Sequence, residues 1–257
     1  MKIAAQMYSI RKYTEENGYG ASLKELARIG FKAVEHACGF GEFDGKPEEL
    51  RKFMDDLGIS MIGTHLGAAQ FLDPALREQT VEFYSKLGAK FLICPGDQRA
   101  VDPAQAAQFG EDLSKAAEFL KPYGMKCGYH NHCGEFDNKD ANGKSAWEIM
   151  AENSSSDVVL QLDCGWSTVA GRCPCCMIRQ FPGRSNTLHF KPSLTKRDEE
   201  TKLSIIGSDS VEWANVIRAA NEVGGTEVFV IEQEWYLPGK TDMYSIEESF
   251  KGLAKFL

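Results

Sequence analysis

All five histidines of this chain lie at the ends of short β-branched or aromatic runs that are typical of strands: His36, His65, His130, His132 and His189. Two further runs of this kind end in acids, one at Asp163 and one at Glu232. Imidazole and carboxylate are the usual protein ligands of first-row metals. The pattern predicts metal chemistry at a place where several strands end.

Side chains two residues apart on a strand share a face. Four strand ends carry such polar pairs, namely His130 with His132, Gln161 with Asp163, His189 with Lys191, and Glu232 with Glu234. An unpartnered polar group is costly in the buried layer between strands and helices. The pairs are therefore expected to point instead into the open end of the fold, where the strands finish. The alternative is that they only hydrogen-bond loop backbone.

The mixed set of Asp163, His189 and Glu232 leaves a fourth ligand to come from His130 or His132. Such oxygen and nitrogen donors favour Mn²⁺ first and Zn²⁺ second, with Co²⁺ or Mg²⁺ also compatible.

The elements that would position these residues alternate between strand and helix. Strands are predicted at 2–9, 33–37, 60–66, 91–94, 126–132, 157–163, 187–191 and 227–234. Pro47 and Gly58 mark the start and the end of one of the intervening helices. Repeated strand and helix units force parallel strands, and eight of them close a barrel. The predicted fold is α/β, a single-domain (β/α)8 TIM barrel over residues 1–257.

An open doubly wound sheet is the alternative fold. It is disfavoured because no Gly-x-Gly-x-x-Gly phosphate loop follows the first strand, where Tyr8 and Arg11 lie instead.

Composition narrows the class of partner. A net charge of -8 disfavours binding to nucleic-acid backbone, because phosphates repel an acidic surface. No apolar stretch approaches the ~20 residues of a membrane span. Met1 and Lys2 lead directly into a strand without a signal-peptide pattern, so a cytoplasmic location is expected. The expected partner is a small molecule, and homo-oligomerisation stays open.

The eight cysteines are interpreted as reduced thiols, because disulfide scaffolds are normally much shorter chains. The dense cluster Cys173-Pro174-Cys175-Cys176 matches no zinc motif, and no histidine lies near it in sequence. A metal is therefore not expected there.

Five segments of the chain together resemble the sugar phosphate isomerase/epimerase family of xylose isomerase-like barrels. They lie at residues 6–11, 129–132 with 135–136, 162–166, 189–191 and 231–234. They occur in the order of the family and span nearly the whole chain. The resemblance implies a barrel with one divalent metal at its mouth.

In that family, a glutamate, an aspartate, a histidine and a second glutamate hold the metal. The last three correspond to Asp163, His189 and Glu232, whereas the first corresponds to His130, which is not a glutamate. In the family's ketose epimerases, two metal-bound glutamates on opposite faces exchange the proton of a cis-enediolate. That symmetry is lost with His130. Pro192 also replaces the acid of the family's His-x-Lys-Asp segment.

The resemblance and the residues together predict a metal-dependent isomerase or epimerase that acts on a sugar, cyclitol or keto-sugar derivative through an enediolate. Lys191 would neutralise developing negative charge, and Glu232, His130 and His132 are candidates for proton transfer. The expected substrate contacts are Tyr8, His65, Trp166, Glu234 and Glu135, the last also being a candidate acid or base.

Three other functions are alternatives to this one. A lyase or dehydratase on a keto-glycoside would share the proton abstraction and then expel a β-substituent. A non-catalytic sugar-binding barrel is consistent with the missing glutamate. A DNA-repair endonuclease would need a basic groove and more than five histidines, and the chain has neither feature.

Overall fold

The computed structural model describes residues 2–195 and 202–257 and contains eight parallel strands. They are β1 (Lys2–Gln6), β2 (Ala33–His36), β3 (Ser60–His65), β4 (Phe91–Cys94), β5 (Lys126–His130), β6 (Val159–Gln161), β7 (Thr187–Phe190) and β8 (Val228–Ile231). Strands β1 to β6 pair in chain order, and β8 pairs with both β1 and β7. A bridge between Asp163 and His189 joins the ends of β6 and β7. The result is the predicted (β/α)8 barrel, nearly closed.

Helices cover the outside of the barrel between successive strands. In the described ranges they are α1 (Arg11–Asn17), α2 (Tyr19–Ile29), α3 (Pro47–Leu57), α4 (Ala69–Leu72), α5 (Pro74–Leu87), α6 (Gln98–Val101), α7 (Ala106–Leu120), α8 (Gly134–Asp137), α9 (Ala146–Glu152), α10 (Cys164–Val169), α11 (Pro174–Gln180), α12 (Trp213–Ala219) and α13 (Asp242–Leu253). Helix α3 begins at Pro47 as predicted, and Gly58 ends it with a φ of 66° that favours glycine.

The buried apolar residues form two separate clusters. The larger lies between the barrel and its helices and includes Leu23, Phe109, Trp147 and Trp213. The smaller fills the inside of the barrel toward the amino ends of the strands, and consists of Ala4, Ala33, Ile62, Phe91, Ile93, Val159, Val228 and Val230. Both faces of the sheet are therefore buried, as a parallel sheet requires.

Several strands end earlier than the sequence predicts. Strand β1 ends at Gln6 because a 3-10 turn, Met7–Ile10, follows it. Strand β5 ends at His130 because the Glu135 carboxylate accepts the backbone amide of His132 at 2.9 Å and turns the chain into α8. Functional residues beyond these points are therefore held by turns and short helices.

Two further observations concern the chain as a whole. All eight cysteines are free thiols. Among the helices of the described ranges, none combines the length and apolar character needed to cross a membrane.

Candidate metal centre and active site

Four side chains from β5 to β8 converge at the carboxyl end of the barrel. One donor atom from each of His130, Asp163, His189 and Glu232 lies within 4.8 Å of the other three. His130 Nε2 is 3.3 Å from Asp163 Oδ2 and 3.7 Å from Glu232 Oε2. His189 Nδ1 is 2.7 Å from Glu232 Oε2 and 3.9 Å from Asp163 Oδ2. The four donor atoms therefore surround a single position.

The hydrogen-bonding state of these atoms tests whether a metal fits. Both ring nitrogens of His130 and Oδ2 of Asp163 are buried without a hydrogen-bond partner in the described part of the chain. Buried polar atoms are nearly always paired, and leaving them unpaired is costly. A divalent ion between two imidazoles and two carboxylates would provide a partner for His130 Nε2 and Asp163 Oδ2 together. The residues present therefore fit a metal.

The local sequence around Asp163 directs one of its oxygens to the site. Its Oδ1 accepts the Trp166 amide at 2.7 Å, which caps α10, and its own amide donates to Asn131 Oδ1 at 2.9 Å. Oδ2 is left facing His130. The short turn between β6 and α10 thus serves both as a helix cap and as a ligand holder.

Glu35 is part of this site and was missed by the sequence analysis. It is fully buried, and its Oε2 lies 2.6 Å from His189 Nε2 and 3.1 Å from His65 Nε2. Gln6 and Gln161 each donate a side-chain amide hydrogen to it at 2.7 Å. A carboxylate on the far nitrogen of a ligating histidine fixes the tautomer and the ring orientation.

Glu35, His65 and His189 form a second group of potential ligands. In this group, His189 Nε2 and Glu35 already contact each other at hydrogen-bond distance, and His65 Nε2 lies 2.8 Å from Gln161 Oε1. The donor atoms of the first group are less satisfied. The metal is better accommodated at His130, Asp163, His189 and Glu232.

His36 does not join the other four histidines, although it too lies at the end of a strand. Its ring stacks on Phe40 with centroids 3.6 Å apart, and its Nδ1 lies 3.0 Å from the Tyr19 hydroxyl. Burial lowers its pKa to about 4. Because Glu35 points into the barrel, His36 points to the outer layer.

The charged side chains of this site shift one another's pKa values. Burial lowers the pKa of His189, but the Glu35 and Glu232 carboxylates outweigh this effect and raise it to about 10. Burial and His189 likewise lower the pKa of His130, yet Asp163 and Glu232 raise it overall. The pKa values of Glu35 and Glu232 are lowered, because nearby cationic groups outweigh the effect of burial. The imidazoles and carboxylates at the barrel mouth therefore stabilise one another's charged forms.

Lys191 approaches the ligands from one side. Its ammonium is buried, forms an ion pair with Glu234, and lies 3.6 Å from Glu232 Oε2. It also lies 4.7 Å from the ring centre of Trp166 and 5.5 Å from that of Trp235. Burial lowers its pKa, but Glu232, Asp163 and Glu234 raise it overall. Lys191 is thus a fixed positive charge beside the ligand set.

His132 lies between the ligand set and the rim. Its ring centre is 5.1 Å from that of His130 and 5.5 Å from that of Trp166. Burial and the charge of His130 lower its pKa to about 4. His132 is therefore a neutral imidazole beside His130.

The remaining predicted residues have different surroundings. Glu135 is buried, and its oxygens accept the Tyr129 hydroxyl at 2.6 Å and the His132 amide. His65 stacks on His189 with centroids 5.1 Å apart. Tyr8 lies in the turn after β1, under the Arg11 guanidinium at 4.1 Å. The substrate contacts predicted for these three residues stay predictions, and the full use of both Glu135 oxygens favours a positioning role for it.

A cavity of about 810 Å³ adjoins this site. The loops after β6, β7 and β8 line it, and its apolar members are Val169, Leu194, Leu203, Trp235, Leu237 and Pro238. Val169, Leu203 and Trp235 are 47%, 53% and 37% exposed, so their apolar surface is available to a ligand. Trp235 connects the cavity to Lys191 and the ligand set.

Comparisons with known proteins agree with this architecture. A sugar phosphate isomerase/epimerase from Parabacteroides distasonis is 19% identical, with a TM-score of 0.81 over 99% of this chain and 98% of that one. An L-ribulose 3-epimerase is 16% identical, with a TM-score of 0.69 over 100% and 95% of the two chains. The IolI protein, solved with a zinc atom bound, is 16% identical, with a TM-score of 0.69 over 100% and 98%.

None of the curated proteins compared with the chain matches it. The family model described as xylose isomerase-like TIM barrel, by contrast, matches residues 23–256. Its match extends over nearly all eight strand and helix units, including every residue of the ligand set. The chain belongs to the xylose isomerase-like TIM barrel family.

Proposed function

We propose that this protein is a divalent-metal-dependent isomerase or epimerase that acts on a sugar, cyclitol or keto-sugar derivative. The observation that carries the proposal is the convergence of His130, Asp163, His189 and Glu232, two of which present buried atoms without hydrogen-bond partners in the described ranges. The fold of the solved sugar isomerases and epimerases supports the same class of reaction.

A divalent ion bound there would supply Lewis-acid polarisation of a carbonyl group beside a hydroxyl group. Burial raises the pKa of Glu232, but Lys191, His130 and His189 outweigh this effect and keep it an ionised carboxylate. Glu232 is the residue proposed to take the proton from the carbon that bears the hydroxyl group. Lys191 retains its charge 3.6 Å from Glu232 and stabilises the negative charge of the enediolate. His132 is neutral and lies beside His130, so it is the candidate for a second proton carrier.

The imidazole of His130 sets this site apart from the two-glutamate arrangement of ketose epimerases. Its Nε2 faces Asp163 and Glu232 at ligand distance, which supports a role as a ligand more than as a base. Two imidazoles and two carboxylates suit Mn²⁺ and Zn²⁺, and a zinc-bound neighbour supports the second ion. We keep Mn²⁺ as the first expectation.

A lyase or dehydratase acting on a keto-glycoside is the second candidate, and the adjoining cavity favours it. The same enediolate can expel a substituent from the neighbouring carbon, and that substituent needs space as it departs. The cavity of about 810 Å³ beyond Trp235 provides such a space, with an apolar lining suited to an aglycone.

Proton exchange tests both candidates at once. The Mn²⁺-loaded protein is incubated in D₂O with a panel of ketoses, aldoses, inososes and keto-glycosides, and NMR and mass spectrometry follow each substrate. Deuterium incorporation with an isomeric product supports the isomerase, whereas loss of the substituent mass supports the lyase. Asp163→Asn is the control that should abolish either reaction. The absence of exchange with every panel member, despite binding of a sugar, would favour a non-catalytic barrel.

A further inference from the structure

Three cysteine thiols lie together at the start of α11, outside the barrel. Cys173 precedes the helix, Cys175 and Cys176 lie in its first turn, and the three sulfur atoms are within 4.8 Å of one another. Cys173 Sγ is 3.2 Å from Cys175 Sγ. The remaining cysteines lie elsewhere in the chain, three of them fully buried. The cluster shares no residue with the ligand set in the barrel.

The spacing of the three sulfur atoms suits a soft metal ion. With Zn–S bonds of ~2.3 Å, tetrahedral geometry places two sulfurs about 3.8 Å apart. The separations found here, from 3.2 Å up to at most 4.8 Å, bracket that value. Small side-chain rotations would bring all three thiolates onto one ion.

We propose that Cys173, Cys175 and Cys176 form a second metal site, selective for thiophilic ions such as Zn²⁺ and independent of the barrel site. Cys173 and Cys176 are exposed and Cys175 is half-buried, so an ion can enter and leave without unfolding the barrel. Three thiolates leave one tetrahedral position open to water, which is typical of an exchangeable site rather than a closed structural one.

Hydrogen bonds within the cluster favour a thiolate at Cys173. The Cys176 amide donates to the Cys173 carbonyl oxygen at 3.0 Å and fixes the turn that gathers the thiols. Burial raises the pKa of the Cys173 thiol, but hydrogen bonds from Cys176 and Cys175 outweigh this and lower it. Burial and Cys173 raise the pKa of Cys175 to about 12, and the hydrogen bond with Cys173 raises the pKa of Cys176, so a metal ion must displace these two protons. Each bound thiolate replaces an S–H bond, so zinc uptake releases protons to solvent.

The two proposed sites should differ in the metal ions that they bind. Hard Mn²⁺ prefers oxygen and imidazole, whereas Zn²⁺ accepts these and thiolates. Metal binding to reduced, anaerobic protein is therefore measured by chelator competition with each ion in turn. The parent should bind one more equivalent of Zn²⁺ than of Mn²⁺. Cys173→Ser with Cys176→Ser should remove the extra zinc or weaken it by roughly a hundredfold or more, without changing Mn²⁺ binding.

Two controls keep the test independent of the barrel site. Cys38→Ser removes an exposed thiol outside the cluster and should leave the extra zinc in place. Asp163→Asn should abolish Mn²⁺ binding but retain the cysteine-bound zinc, which should protect the three cluster thiols from a thiol reagent. Equal Zn²⁺ and Mn²⁺ stoichiometries in the parent, or an extra zinc that survives the double serine variant, would overturn the proposal.

Discussion

The two ends of the barrel interior differ in chemistry although the same strands build both. Toward the amino ends, the inward positions hold the apolar cluster that includes Ala33, Val159 and Val230. Two residues further along the same strands, the inward positions hold Glu35, Gln161 and Glu232. Along each of these strands the inward-facing residues change from apolar to polar toward the carboxyl end. The amino half of the barrel interior therefore contributes to stability, and the carboxyl half holds the candidate site.

Within the residues that the structure describes, the carboxyl end also contains buried polar atoms that the fold alone does not satisfy. His130 and Asp163 have unpartnered buried atoms there, while the amino-end layer buries apolar groups. The apolar groups at the amino end stabilise the fold. The polar groups at the carboxyl end are buried at a cost in stability, as is typical of binding sites. Substitutions at the two ends of the barrel interior test this difference.

The largest effect is expected from the ligands themselves. Asp163→Asn, His189→Ala and Glu232→Gln should each lower divalent-metal content sharply and reduce any metal-dependent turnover by roughly a hundredfold or more, because a lost ligand costs at least as much as a lost outer partner. Elemental analysis of the purified variants measures the content. Full metal occupancy in all three would defeat the ligand assignment.

At the other end of the barrel, Phe91→Ala should affect stability and leave metal binding intact. Phe91 belongs to the inner apolar cluster and is 1% exposed, so truncation opens a cavity. The expected loss of unfolding free energy is about 3–5 kcal/mol in urea denaturation. Metal content per folded molecule should not change. A loss of metal from the folded fraction would show that the two ends are coupled.

Glu35→Gln tests an outer partner of the ligand set and should have an intermediate effect. The amide keeps the size of the side chain but removes the charge that lies 2.6 Å from His189 Nε2. Metal affinity should fall by about 10- to 100-fold, as measured by chelator competition. The matched control is Glu227→Gln, an exposed acid that pairs with Lys90 at the amino end of β8. If both variants bind metal as the parent does, Glu35 has no positioning role.

Local signals in the sequence were sufficient for much of the fold and part of the site. Pro47 and Gly58 delimit α3 as predicted, and the alternation of strands and helices yields the barrel. The strand ends at Asp163, His189 and Glu232 were identified from residue type alone, and the structure brings these side chains together.

Glu35 escaped prediction for a physical reason. It and His36 are adjacent polar residues on a strand whose two faces are both buried, so the sequence does not reveal which of them points inward. The pairing register of β2 with β3 shifts between Val34 and Glu35, which further obscures the alternation. The cysteine cluster was recognised in the sequence, but no metal was expected there because its spacing matches no zinc motif. Only the fold of the turn shows that its three sulfur atoms lie together.

The smallest effect is expected from His130→Glu, and it concerns how metal affinity depends on pH. A histidine must be neutral to bind metal, so protons compete with the ion below the pKa of the imidazole. In the metal-free site the pKa of His189 is raised to about 10 and that of His130 is also raised. Metal affinity should therefore fall as the pH decreases, and the fall begins well above the reference value of ~6.5.

Between pH ~5 and ~7, wherever both imidazoles are protonated, the parent must displace a proton from each of them, so its affinity should change by up to roughly a hundredfold per pH unit. His130→Glu removes one of these protons, because a carboxylate with a reference pKa of ~4.3 is ionised in this range. The variant should hold Mn²⁺ at least as well as the parent, with a slope nearer tenfold per unit. Titration with Mn²⁺ at several pH values measures both slopes. If the slopes are identical, His130 does not bind the metal; His132 or water is then the fourth ligand, and His130 is left to contact the substrate or carry its proton.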